Sequence, residues 1–180
     1  MNAPTDVIAA LKDAESCVDI ETVFRAHYER IARVIARITG DPARAEELAV
    51  EVFLKLWRTP QAQSEKAGAW LYRAAVRRGL DELRRRTRWA RYERLLGFVR
   101  RTPATPEEIC AASEDQMRVR RVLAALDSRQ AELLLLRSDG LSYGDVALAL
   151  SLNPASVGTL LSRAQQAFRK EYIKRHGHQR

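Results

Sequence analysis

The chain has 180 residues, 46% hydrophobic and 30% charged, with a net charge of +8. That is enough apolar material for one ordinary core or two small ones, and no apolar run approaches the roughly 20 residues of a membrane span. The acidic residues near the N-terminus do not suit a secretion signal, so a cytoplasmic protein is expected, and the scattered two cysteines and three histidines predict neither a disulfide framework, a metal site nor a cofactor.

The first predicted helix carries Phe24, Tyr28, Ile31, Val34, Ile35 and Ile38 at helical spacing and stops at Gly40. Asp41 can cap the next helix, and Pro42 suits its first turn. That second helix has Ala45, Leu48, Val52 and Leu56 on one stripe, Glu46, Glu47 and Glu51 elsewhere around it, and an end near Trp57. The polar stretch 59–68 reads as a loop. A third helix is predicted over 69–88. On a wheel of about 100° per residue, Trp70, Arg73, Arg77, Arg84 and Arg88 fall together, with Arg85 and Arg78 beside them. Leu71, Tyr72, Ala75, Val76, Leu80 and Leu83 fill most of the opposite side.

The charge is concentrated in this part of the chain. Residues 70–101 hold eleven arginines and three acids, a surplus equal to that of the whole protein, and the remainder is neutral. A basic block inside a neutral chain marks one surface for a strongly negative partner, and nucleic acid fits it.

Residues 89–115 begin basic, pass through Thr102-Pro103 and Thr105-Pro106 and end acidic, which reads as a linker between two domains with room for a short helix at each end. A helical pattern restarts at Met117 with Val119, Val122, Leu123 and Leu126, and another ends at Gly140. The stretch 141–165 then has two short helices around Ser151-Leu152-Asn153-Pro154. Small Ala147, Ser151 at the turn and Val157 as an inward anchor have helix-turn-helix spacing. The second of these helices should bury Val157, Leu160, Leu161, Ala164 and Phe168. It should present Ser156, Thr159, Ser162, Arg163 and Gln166 to base edges and phosphates.

With these motifs in this order, the chain resembles the extracytoplasmic-function (ECF) sigma factors of bacterial RNA polymerase, members of the sigma-70 family. "GDPARAEELAVEVFLKLW" resembles the region that docks on the polymerase clamp, and "AWLYRAAVRRGLDELRRR" the segment that melts and reads the minus-ten element. "LDSRQAELLLLRSDGLSYGDVALALSLNPASVGTLLSRA" resembles the domain that reads the minus-thirty-five element. The resemblance implies an all-α fold of two small helical domains: 1–88 for core polymerase and the minus-ten element, 89–115 as linker, and 116–180 as the helix-turn-helix domain. It assigns polymerase binding to Glu47, Val50 and Glu51, and minus-ten contact to Trp70, Arg73, Arg77, Arg84, Arg85 and Arg88. Ser156, Thr159, Ser162, Arg163 and Gln166 become the upstream readers. The linker's acidic end, Glu107, Glu108, Glu114 and Asp115, is assigned to mimicry of nucleic acid in the polymerase channels. Core polymerase and promoter DNA are the implied partners, with an anti-sigma factor as an open third.

The chain departs from the family pattern at Val50 in place of a Gln, at Arg77 in place of an Asn, and at Gly158 and Leu160 where Lys and Arg are usual. The departures remove polar readers and shift weight to phosphate attraction. A second class of function stays open, a sigma-like decoy that titrates an anti-sigma factor without driving transcription. An enzyme is not expected: there are no paired buried carboxylates, no Ser/His/Asp or Cys/His constellation and no phosphate-cradling glycine loop.

Overall fold

The computed structural model describes residues 19–64, 66–96 and 114–177. Among them the regular structure is seven α-helices and one short 3-10 turn at Pro60–Ala62, with no strand. Cys17, Cys110, His178 and the linker interior with Glu107 and Glu108 lie outside the described residues.

Helix α1 (Ile20–Thr39) starts where the Asp19 carboxylate accepts from the Glu21 and Thr22 amides at 3.1 and 3.2 Å. It ends at Gly40, which takes the left-handed conformation at φ 72° and donates its N–H to the Ala36 carbonyl at 2.7 Å. Helix α2 (Pro42–Trp57) follows at once, with Asp41 accepting from the Arg44 amide at 3.0 Å and Pro42 in the first turn. Helix α3 (Ala67–Leu95) packs on both, and Ile31, Ile35, Ile38, Leu48, Leu56, Leu71 and Leu80 are almost fully removed from water. Each such side chain stabilises the bundle by about 1.5–3 kcal/mol relative to exposure. Gly79 permits the close crossing of α1 and α3, since a Cβ there would stand 3.2 Å from Ile38 Cδ1.

Helix α3 runs beyond the predicted end at Arg88 by two turns. The composition shift at 89 is a change of charge and aromatic content, and no Gly or Pro lies between Gly79 and Gly97 to stop the helix. The added turns leave Trp89, Tyr92 and Leu95 exposed.

The second unit comprises α4 (Glu114–Ala125), α5 (Ser128–Ser138), α6 (Tyr143–Leu150) and α7 (Pro154–His176), closed around Val122, Leu133, Leu136, Val146 and Val157. Glu114 and Asp115, assigned above to the linker, instead form the first turn of α4. There their charges favour the helix N-terminus, and both pair with Arg118. The sequence leaves open whether the two units touch. They do: α3 lies against α4, α5 and α6, and a single apolar cluster runs from Val23 to Leu161. Among the described residues no helix is long and apolar enough to cross a membrane.

Candidate nucleic-acid interface

The helix-turn-helix is formed by α6 and α7. A capping box starts α6, with Ser142 Oγ accepting from the Asp145 amide at 3.1 Å and Asp145 Oδ2 accepting from the Ser142 amide at 3.2 Å. The corner is Ser151 at φ 53°, ψ 52°, a left-handed conformation, and the next amide, Leu152 N–H, donates back to the Ala147 carbonyl at 2.8 Å. Asn153 then caps α7 by accepting from the Ala155 amide at 3.0 Å, with Pro154 at the first helical position. Ala147 and Val157 are both buried at the crossing, as their spacing requires.

Of the five expected readers, Thr159, Ser162, Arg163 and Gln166 are exposed along one side of α7. Ser156 differs: it is half-buried and its hydroxyl donates to the Asn153 carbonyl at 2.7 Å, because a serine at the third helical position finds a carbonyl acceptor within its own turn. Leu160, one of the departures from the family pattern, packs against the core, so an apolar residue there removes nothing from the exposed side. A Cβ on Gly158 would meet the Tyr143 ring at 3.6 Å, an ordinary contact.

Arginines 73, 77 and 84 do share one face of α3, as the wheel places them, but each is bonded to the second unit, with Arg77 still half exposed. Arg77 holds Glu132 with two bonds, Nε to Oε1 at 2.8 Å and Nη2 to Oε2 at 3.3 Å, and the Glu132 side chain is only 5% exposed. Arg84 donates to the Ala124 and Leu126 carbonyls at 3.3 and 2.9 Å and to Ser128 Oγ at 2.8 Å. Arg73 donates to the Ala149 carbonyl at 3.3 Å. The carbonyl acceptors lie at the C-terminal ends of α4 and α6, where carbonyls lack intrahelical donors and carry the negative end of the helix dipole. Two further interdomain pairs converge on Asp139, from Arg37 at 2.9 Å and Arg30 at 3.8 Å. Trp70 is half-buried against the core, whereas Arg85 and Arg88 remain exposed.

The signal for this arrangement is Glu132. It stands on the buried stripe of α5 with Ala131, Leu135 and Leu136, and an acid on an apolar stripe calls for a buried cationic partner. Asp139 lies seven residues on, two turns along the same side.

At the expected polymerase-docking helix, Val50 is 43% exposed, and Leu54 and Trp57 continue the same stripe at 42% and 62%. Sequence reasoning missed Leu54 and Trp57, although their spacing from Val50 was available. Glu51 is not free: it accepts from Arg78 Nε at 2.7 Å, tying α2 to α3, and Glu47 pairs with Arg44. Among the described residues no group of His, Cys, Asp and Glu could hold a metal ion.

Comparison with known proteins accords with this geometry. Residues 23–89 match the family model for sigma-70 region 2, and residues 116–167 match that for sigma-70 region 4. The ECF RNA polymerase sigma factor SigE of Mycolicibacterium smegmatis is 31% identical over 96% of this chain and 68% of its own length. SigL of Mycobacterium tuberculosis is 32% identical over 82% of this chain and 85% of its own, and SigK of Mycolicibacterium vanbaalenii 30% over 89% and 84%. The fold is similar to that of the sigma factor RpoE solved in complex with the anti-sigma factor NepR from Bartonella quintana. The TM-score is 0.50 at 18% identity, over 84% of this chain and 94% of that one. With both conserved regions present in order and relatives at this identity along most of its length, the chain belongs to the ECF sigma factors of the sigma-70 family.

Proposed function

We propose that the chain binds core RNA polymerase and directs it to promoters. Residues 1–88 engage core enzyme and the minus-ten element, 89–115 link, and 116–180 read the upstream element. The observation that carries the reading is the row of solvent-facing Thr159, Ser162, Arg163 and Gln166 on the second helix of a tightly turned helix-turn-helix. A decoy has no need of such a row, so the promoter role is the better reading. Polymerase docking falls to the stripe Val50, Leu54 and Trp57, with Glu47 at its edge and Glu51 positioning α2 against α3. Since Arg73, Arg77 and Arg84 are occupied within the chain, their contact with promoter phosphates requires the two units to separate. An anti-sigma factor is a further proposed partner, by analogy with the NepR complex of the Bartonella protein.

The test is run-off transcription with purified core polymerase on a library of genomic fragments. Initiation at a defined promoter set is expected. Binding to core without specific initiation would favour the decoy instead.

A further inference from the structure

The end of α1 faces α4, α5 and α7 across a groove of about 710 Å³, within the range of roughly 300–1,000 Å³ typical of small-ligand sites. The groove is predominantly apolar, with Ile38, Leu123 and Leu161 buried at its base and Val119 and Phe168 along its sides. Three arginines, Arg37, Arg120 and Arg137, line it together with one acid, Asp115. Arg37 is paired with Asp139, and Asp115 is met by Arg118. Arg120 and Arg137 remain. Arg120 donates to the Arg37 carbonyl at 3.2 and 3.3 Å, and Arg137 donates to the Leu141 carbonyl and lies over the Tyr143 ring. Among the described residues neither has a carboxylate partner. Arg120 is half-buried, and burial lowers its pKa with no acid to offset the effect. A guanidinium has donors for several acceptors and is costly to hold out of water without an anion.

An apolar groove with a convergent, under-partnered cation selects for a ligand with a hydrocarbon body and a negative head. We propose that it binds a small amphiphilic anion, an acyl carboxylate of medium chain length. The chain lies along Ile38, Leu161 and Phe168, and the head sits on Arg120. Arg37 and Ile38 come from the first unit and every other lining residue from the second, so the complete groove exists only while the two are packed together. Binding is therefore linked to closure, and a bound anion stabilises the closed form by mass action. Closure is also what occupies Arg73, Arg77 and Arg84, so the ligand opposes DNA engagement. That last consequence rests on the promoter reading; the binding does not.

The experiment is calorimetric titration of the full chain with dodecanoate, below its micelle-forming concentration, and with dodecanol. Saturable binding is expected, tighter for the carboxylate by about tenfold, the scale of one charge-assisted contact. Arg120→Gln should remove that preference and leave dodecanol binding unchanged. Val119→Trp, at a 37% exposed wall position, should block both ligands without changing the thermal unfolding midpoint. Dodecanoate should also weaken duplex DNA binding by the wild type and not by Val119→Trp. No saturable binding, no preference for the anion, or unchanged binding by Val119→Trp overturns the proposal. So does capture of an acidic amphipathic peptide in place of dodecanoate, which would give the groove to a protein helix. Failure to bind core polymerase would defeat the promoter reading and leave the calorimetric result standing.

Discussion

At Glu82 one carboxylate, 1% exposed, holds Arg85 at 2.8 Å and Arg86 at 3.0 Å, with Arg44 at 3.7 Å and Arg78 at 4.0 Å. Four like-charged guanidiniums crowd the junction of α2 and α3 around this acid, with Glu47, Glu51 and Asp41 taking further pairs at its edge. The Arg85 hydrogen bond first, then Arg86 and the charge of Arg44, hold its pKa below the ordinary glutamate value of 4.5. Glu82→Gln should lower stability by about 1–3 kcal/mol in denaturant titration, since the arginines keep access to water while losing their buried counter-charge. The folded chain holds this proton less tightly than the unfolded one. The contribution is therefore complete above pH 4.5 and lost as pH falls through the lower folded value. The acid limb of the wild-type stability curve should be steeper than that of Glu82→Gln below pH 4.5. Ser151 supplies a test of opposite sign. It holds a left-handed conformation that favours glycine, so Ser151→Gly should be neutral or stabilising by up to about 1 kcal/mol, read as a rise in melting temperature.

Helix α7 carries its information on one side and its packing on the other. Arg163→Ala removes an exposed side chain opposite Val157 and Leu161, so the fold should be unaffected. Affinity for promoters with an upstream element should drop by about 1–3 kcal/mol if a base contact is lost, while promoters relying on the downstream element stay indifferent. Band-shift or run-off assays on paired promoters measure the difference. Helices of this kind were legible in the sequence because their signals are local: a cap at Asp41, a proline at a first turn, an apolar residue every third or fourth position. The stripe of α2 was half legible, through Val50, because the exposure of Leu54 and Trp57 is evident only once the core is seen to close on Ala45, Leu48, Val52 and Leu56 without them. Arg73, Arg77 and Arg84 were placed correctly on their own helix, but what covers them lies 40 to 76 residues away in sequence. No helical wheel contains that distance.

In the whole molecule the two units meet through arginines from one side and acids or helix ends from the other. Glu132→Gln removes the charge that holds Arg77. It should weaken the closed arrangement, lower thermal stability by about 1–2 kcal/mol and raise nonspecific duplex affinity several-fold, because Arg77 is released toward phosphates. Small-angle scattering should show a larger radius of gyration than the wild type at low salt, and the two should converge as salt rises and screens the pairs. Identical profiles for variant and wild type would leave Glu132 with a purely internal role. The same interface bears on the molecule's life among bulk polyanions. A chain with eleven arginines in one stretch would be titrated by any RNA it met, yet here helix ends and a buried acid hold Arg73, Arg77 and Arg84 where phosphates would, while Arg88 and Arg91 further along α3 stay open. The second unit thus serves as a resident competitor: a nucleic acid must displace it to win the full charge, and one offering too few contacts at once is turned away.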